Sequence, residues 1–213
     1  MSYILSFIVA FGVTFIAGQI LVPLLRKWKA GQSIREDGPT WHMSKQGTPT
    51  MGGLMFILGI GVAIVTAGWE EIQRGNFIYL FVYLFALVFG AIGFVDDFQK
   101  LRHHANEGLT ALQKFLLQLA VAFTVLLRNY GYLTPSLYIP FFNVELAMPW
   151  VVYMIFAAFV MVATVNAVNL TDGIDGLATG VTLPVMLFFT LVSMTAKQWG
   201  LATFPATLVG ALG

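Results

Sequence analysis

Six long runs of mostly apolar residues constrain the fold of this chain more than any other feature. They cover residues 3–25, 51–68, 77–95, 112–127, 150–168 and 177–196. About 20 such residues in a helix cross the hydrocarbon core of a bilayer. We therefore expect an all-α integral membrane protein with six transmembrane helices, forming a single multi-span domain over residues 1–213.

A seventh apolar run covers residues 201–212 and is too short to cross a bilayer. A membrane helix that ended inside the bilayer would leave backbone carbonyls without partners. We therefore expect this run to be the start of a seventh span, and the chain to be the N-terminal part of a longer protein. A short re-entrant or interfacial tail is the alternative.

The composition excludes several classes of protein. Charged residues make up 10% of the chain, against about 25% in soluble domains, which excludes a water-soluble globule. The 11 basic and 10 acidic residues provide no basic surface for nucleic acid. The absence of cysteine excludes a disulfide scaffold, a thiolate metal site and cysteine catalysis.

The distribution of basic residues predicts the orientation of the chain, because cytoplasmic loops are enriched in Lys and Arg. The loops after the first, third and fifth spans carry eight basic residues, and the opposite side carries three. This places the N-terminus outside and those loops in the cytoplasm. On the outer side, segment 131–149 contains three prolines and cannot be helical throughout; we expect a small hairpin lying on the membrane surface.

Two neighbouring carboxylates, Asp96 and Asp97, follow the third apolar run. We expect them to end its helix at the cytoplasmic boundary, near lipid phosphates. Adjacent carboxylates repel, so they favour a divalent cation or one raised pKa. Mg²⁺ acting on a phosphate substrate is the usual reason for such a pair; two solvated aspartates are the alternative.

A second polar motif interrupts the apolar sequence after the fifth run, at residues 166–177. Its two Asn and two Asp offer acceptors for a nucleoside. Its glycines, Gly173 and Gly176, permit a tight turn and close approach to a ligand. An ordinary turn between two spans is the alternative.

A third polar segment, 37–53, leads into the second span, where Gly52 and Gly53 begin a helix whose N–H groups could face an anion. Lys45 could pair with phosphate there, or simply belong to a basic inner loop. Lys114, at the start of the fourth span, could meet a lipid phosphate or extend toward the interface.

Together, segments 37–53, 93–100 and 166–176 closely resemble the polyprenyl-phosphate N-acetylhexosamine-1-phosphate transferase family. The resemblance extends over essentially the whole chain. It implies an inner-membrane enzyme of bacterial cell-wall synthesis with a cytoplasmic active site. The implied reaction moves phospho-MurNAc-pentapeptide from UDP-MurNAc-pentapeptide to undecaprenyl phosphate, releases UMP and requires Mg²⁺. Homodimers are known in the family.

The resemblance also implies roles for individual residues. Asp96 and Asp97 would be the catalytic carboxylates, one orienting or deprotonating the lipid phosphate and one lying close to Mg²⁺, with Asp97 as the candidate metal ligand. The substrate-binding residues would be Asn169, Asp172, Gly173 and Asp175 for uridine, Lys45 and Thr50 for the nucleotide and phosphate region, and Lys100 and Lys114 for phosphates. A third aspartate for Mg²⁺ and a histidine-rich segment would lie beyond this chain, so we expect residues 1–213 alone to be inactive.

Three other functions remain open. A related enzyme would transfer GlcNAc-1-phosphate to the same lipid. A transporter would more often carry its ionisable groups near the bilayer midplane, whereas here they collect at one boundary. A non-catalytic membrane fragment would keep the motifs only for binding or assembly.

Overall fold

The structure, a computed structural model, describes residues 2–27, 51–103 and 108–213. It is helical apart from one small hairpin in that part of the chain. In chain order the elements are α1 (Ser2–Lys27), α2 (Gly53–Ala67), α3 (Trp69–Gln73), α4 (Ile78–His103), α5 (Ala111–Arg128), β1 (Ser136–Ile139), β2 (Val144–Ala147), α6 (Trp150–Thr171), α7 (Leu177–Thr195) and α8 (Trp199–Leu212).

Five of the described helices, α1, α4, α5, α6 and α7, are long and apolar enough to cross a membrane. The helices α2 and α8 have 15 and 14 residues. At 1.5 Å per residue each is roughly 22 Å long, which is less than the hydrocarbon thickness of about 30 Å. The all-α membrane class is therefore confirmed. The count of six spans, which included α2, remains a prediction.

One compact unit of the structure contains α1 to α4, α7 and α8. In it, α1 packs against α2 and α8, and α7 packs against α8. The buried residues at its centre are mostly small or aliphatic: Ala10, Ile60, Ala63, Ile64, Tyr79 and Ala211. Small residues let membrane helices approach closely, because association in lipid depends on packing rather than on the hydrophobic effect.

The helices α1 and α8 approach each other closely at Gly210. A Cβ atom at this position would overlap the backbone of Phe7, including its carbonyl oxygen. The backbone of a packed helix cannot move aside as a flexible side chain can, so only glycine fits here.

The turn between α2 and α4 is fixed by polar contacts. The Tyr79 hydroxyl donates to the Gly68 carbonyl at 2.7 Å, in a buried position where α2 ends. In α3, the buried Glu71 carboxylate accepts from Arg74 Nη1 at 2.9 Å and from Asn76 Nδ2 at 3.0 Å. Each of these hydrogen bonds satisfies a buried polar group, which would be costly to leave without a partner.

The other compact unit contains α5, the β1–β2 hairpin and α6. The helices α5 and α6 pack through Ala122, Leu126, Ala158 and Val162. The helix α5 begins with a capping box, in which the Thr110 hydroxyl accepts from the Gln113 N–H and the Gln113 side chain accepts from the Thr110 N–H. The strands β1 and β2 pair antiparallel, so the hairpin predicted within 131–149 is confirmed.

We expect Gly210→Ala to destabilise the protein by roughly 1–3 kcal/mol, the usual cost of overpacking. The measurement is the midpoint of thermal unfolding in detergent micelles. The matched control is Gly90→Ala in α4, where a Cβ meets no atom within 4 Å, and which should leave the midpoint unchanged or raise it slightly. Equal midpoints for the two variants would contradict the close packing of α1 and α8.

Candidate functional site

An ion cluster lies near the C-terminal end of α4. Lys100 Nζ is 2.7 Å from Asp96 Oδ2 and 3.3 Å from Asp97 Oδ1. Lys100 follows the two aspartates by four and three residues, spacings at which helical side chains are neighbours, so its ammonium group can reach both carboxylates. The two carboxylates thus share one ammonium group, which leaves the three side chains with a formal charge of one negative unit.

The two carboxylates differ in exposure. The Asp96 side chain is 10% exposed, whereas the Asp97 side chain is 35% exposed. The shorter contact of Lys100 is with the buried carboxylate. Asp97 is therefore the carboxylate that a ligand outside the helix can reach.

The expectation that Asp96 and Asp97 end their helix is wrong, because α4 continues to His103. Carboxylates at a helix C-terminus oppose the helix dipole. Here Lys100 neutralises much of that charge from the next turn, so the helix continues beyond the pair.

Gly108 packs directly against Asp96, a contact that the sequence motifs did not predict. A Cβ atom at Gly108 would overlap both the Asp96 carbonyl and its carboxylate. The absence of a side chain at Gly108 therefore lets the chain lie over the buried carboxylate and helps to fix its position. The only sequence signal for this contact was the position of Gly108 at the end of a polar segment.

The donors of this cluster fit a magnesium ion only in part. No group of three or more His, Cys, Asp or Glu side chains that could hold a metal ion occurs in residues 2–27, 51–103 and 108–213. Magnesium commonly takes one or two carboxylates, with phosphate oxygens and water completing its six ligands. Asp97 can be such a carboxylate, and Lys100 would then share it with the ion.

A second group of predicted residues lies where α6 ends. The helix runs to Thr171, Asp172 caps its C-terminus, and Gly176 takes a left-handed conformation with φ of 77° before α7. Asn169, Asp172, Gly173 and Asp175 are all exposed. These acceptors can therefore be reached by a ligand, as the nucleoside hypothesis requires.

An amide pair joins α6 to α5 one turn before these acceptors. Asn166 Nδ2 donates to Gln118 Oε1 at 2.7 Å and to the Val162 carbonyl at 2.8 Å. Gln118 is buried. The Asn166 side chain therefore takes part in helix packing, whereas Asn169, three residues later, is exposed.

The amide pair sets the register of the two helices. Lys114 precedes Gln118 by one turn, and Asn169 follows Asn166 by about one turn on the same face. Because α5 and α6 pack antiparallel, Lys114 and Asn169 both lie about one turn from this contact, toward the same end of the helix pair. Gln118, which the sequence motifs did not include, thus joins α5 to α6. The only sequence signal for Gln118 was that it is a polar residue within an apolar run, one turn after Lys114.

The predicted residues Lys45 and Thr50 lie outside the described part of the chain. The start of α2 at Gly53, with Gly52 as its N-cap, confirms that these glycines begin a helix. The structure therefore brings Asp96, Asp97 and Lys100 into one cluster. It places Asn169, Asp172, Gly173 and Asp175 at one exposed turn.

The sequence of the chain matches known proteins over both groups of residues. The model of glycosyl transferase family 4 matches residues 79–213, and the phospho-N-acetylmuramoyl-pentapeptide-transferase signature 1 matches residues 45–57. The first match includes both the α4 cluster and the turn after α6. The second includes Lys45 and Thr50.

Three relatives named phospho-N-acetylmuramoyl-pentapeptide-transferase are similar to nearly the whole chain. The proteins of Clostridium acetobutylicum and Clostridium kluyveri are 43% identical over 209 residues and 44% identical over 215 residues, each match covering 98% of this chain and 65% of the relative. The protein of Staphylococcus carnosus is 43% identical over 217 residues, covering 100% of this chain and 66% of the relative. The chain thus spans about two thirds of the length of these curated relatives. Because the family model covers more than half of its residues, the chain belongs to glycosyl transferase family 4.

Proposed function

We propose that this chain is part of a membrane phosphoglycosyl transferase that uses UDP-MurNAc-pentapeptide and undecaprenyl phosphate. The products are UMP and undecaprenyl-pyrophosphoryl-MurNAc-pentapeptide. The observation that carries the proposal is the Asp96–Asp97–Lys100 cluster on α4, in a chain 43% identical to a relative named for this transfer.

The proposed step exchanges one phosphoanhydride for another. An oxygen of the lipid phosphate attacks the sugar-linked phosphorus of the donor, the bond from that phosphorus to the bridging oxygen breaks, and UMP leaves with that oxygen. Because the bonds formed and broken are alike, the equilibrium lies near balance. Catalysis then consists mainly of positioning the phosphates and neutralising their charge.

The two carboxylates have different tasks in this proposal. A phosphate monoester has a second pKa near 6, so the lipid phosphate is already mostly ionised at neutral pH and needs little help from a base. Asp97, the more exposed carboxylate, faces the reacting phosphates and is the expected Mg²⁺ ligand. Asp96 holds Lys100 in place at 2.7 Å, so that its ammonium can offset phosphate charge.

A magnesium ion bound at Asp97 would neutralise the charge that develops on the phosphate oxygens. The remaining proposed roles belong to the chain's own polar residues. Asn169, Asp172, Gly173 and Asp175 hold the uridine, and Lys114 pairs with a phosphate. Lys45 and Thr50 line the nucleotide and phosphate region.

The proposed topology has the N-terminus outside, six spans, a seventh that begins at α8, and the site on the cytoplasmic face of a bacterial inner membrane. Its support is the distribution of basic residues. Eight of them are in the segments, helix ends included, that would be on the cytoplasmic side: Arg26, Lys27, Lys29, Arg35, Lys45, Lys100, Arg102 and Lys114.

Activity should require the whole protein. The test compares the isolated 213-residue chain with a completed protein, in which the chain is joined to the part of its Clostridium acetobutylicum relative that it does not span. Only the completed protein should form lipid-linked product from UDP-MurNAc-pentapeptide, undecaprenyl phosphate and Mg²⁺ in detergent. Product from the isolated chain would refute the expected inactivity. Turnover of UDP-GlcNAc alone would identify the related GlcNAc-1-phosphate enzyme, and no turnover of either donor would refute the transferase proposal.

Asp97→Asn in the completed protein should lower turnover by roughly 100-fold or more, as removal of a charge-stabilising group does in other enzymes. The substitution keeps the shape of the side chain and removes its charge. The control is Glu70→Gln, whose carboxylate is exposed and lies 3.7 Å from Arg74; it should keep full turnover. Thermal unfolding midpoints should match for all three proteins. An Asp97→Asn variant with unchanged turnover would exclude a catalytic role for this carboxylate.

The two asparagines of α6 should respond differently to substitution. Asn169→Ala should raise KM for the UDP donor about tenfold, the effect of losing roughly 1.4 kcal/mol of binding, with little change in the unfolding midpoint. Asn166→Leu should lower the midpoint, because it leaves the buried Gln118 amide without its partner. Steady-state kinetics and thermal unfolding separate the two effects. The same pattern for both variants would show that Asn169, too, serves only helix packing.

A further inference from the structure

The β1–β2 hairpin has two chemically different faces. Leu137 lies opposite Leu146, and Ile139 lies opposite Val144. Residues directly opposite each other share a face of the hairpin, and side chains two apart along a strand share it too. These four residues therefore form one continuous surface, the hairpin apolar face.

The opposite face is polar, and its side chains bond to one another. The Ser136 hydroxyl donates to Glu145 Oε1 at 2.5 Å, across the two strands. The Tyr138 hydroxyl donates to Asn143 Oδ1 at 2.7 Å. Glu145 is the only charged residue between positions 129 and 149. The polar face can therefore be solvated, and its side-chain hydrogen bonds stabilise the hairpin.

The hairpin tip, formed by Phe141 and Phe142, and three of the four residues of the apolar face are exposed among the described residues, and Ile139 is half-buried. Phe141 is 96% exposed, Phe142 76% and Leu146 50%. Isolated two-stranded hairpins are marginal in water, and need a surface against which to bury their apolar side. A contiguous exposed apolar patch of this kind marks an interaction site.

The position of the hairpin in the chain indicates which surface is nearest. It connects α5, which ends at Arg128, to α6, which begins at Trp150. Both helices are long and apolar enough to cross a membrane, so residues 129–149 lie where both leave the bilayer. At the base of the hairpin, the Trp150 ring contacts Tyr130 and Tyr153, with centroids 4.8 Å and 5.4 Å apart. Trp and Tyr are enriched at the level of the lipid headgroups.

We propose that the hairpin is an interfacial anchor: its apolar face and its Phe141–Phe142 tip lie in the boundary between lipid headgroups and acyl chains, and its Glu145 face lies in water. A hairpin with one apolar and one polar face fits an interface between lipid and water, as interfacial amphipathic helices do. The occupant is the bilayer that already surrounds α5 and α6. The proposal concerns the surface opposite to the predicted cytoplasmic site and does not depend on the transferase reaction.

The test uses single spin labels in lipid nanodiscs, on the completed protein in a cysteine-free background. This chain contributes no cysteine of its own. Labels at Leu146→Cys and Phe142→Cys should be accessible to oxygen, which concentrates in lipid, and protected from a water-soluble nickel chelate. A label at Glu145→Cys should show the reverse. Tyr138→Cys, on the same polar face, replaces Glu145→Cys if loss of the Ser136 contact unfolds the hairpin.

Two outcomes would overturn the proposal. High nickel accessibility at both Leu146→Cys and Glu145→Cys would show that the hairpin stands free in water. Protection of Leu146→Cys and Phe142→Cys from both reagents would show that protein covers the apolar face, either a second copy or the region beyond this chain. A label at 145 that is accessible to nickel, next to a label at 146 that is accessible to oxygen, is the result expected only if the hairpin lies at the interface.

Discussion

The low dielectric of the bilayer, where a charge has no water to solvate it, determines where polar chemistry can lie in this chain. A carboxylate at the bilayer centre costs about 2.5–3.5 kcal/mol on insertion scales. The α4 cluster avoids most of this cost in two ways. It lies in the last three turns of a 26-residue helix, and it pairs both carboxylates with Lys100. The same constraint makes the cluster informative, because ionisable residues within an apolar membrane helix are candidates for a functional site.

Other buried polar groups are satisfied inside the protein. Tyr79 donates to the carbonyl at the end of α2, Asn166 donates to Gln118, and Glu71 accepts from two neighbours. Each contact joins separate elements or fixes a turn, which apolar packing alone does poorly in lipid. The Asn166–Gln118 pair also fixes the register of α5 and α6. It thereby ties the positions of Lys114 and Asn169 to the packing of the unit that carries them.

The sequence predicted the helical membrane class, the approximate helix positions and the hairpin, because apolar runs and prolines report local constraints directly. It did not predict that α4 passes through Asp96 and Asp97, since that depends on a charge pair with Lys100 one turn later. It also missed Gly108 and Gln118, whose partners, Asp96 and Asn166, are distant along the sequence. The motifs indicated candidate site residues. Which residues hold them in place depends on tertiary contacts that no short pattern encodes.

The unequal burial of the two aspartates suggests how an adjacent pair can divide its work. Neighbours in a helix point about 100° apart, so both cannot face the same surroundings. Asp96 faces inward, where Gly108 packs on it and Lys100 approaches most closely. Asp97 faces outward with a longer contact to the same lysine. In the proposed reaction, the buried carboxylate orients a cation and the exposed one meets the ligand. Under that proposal two carboxylates stand together, although their mutual repulsion alone is unfavourable, because each has its own task.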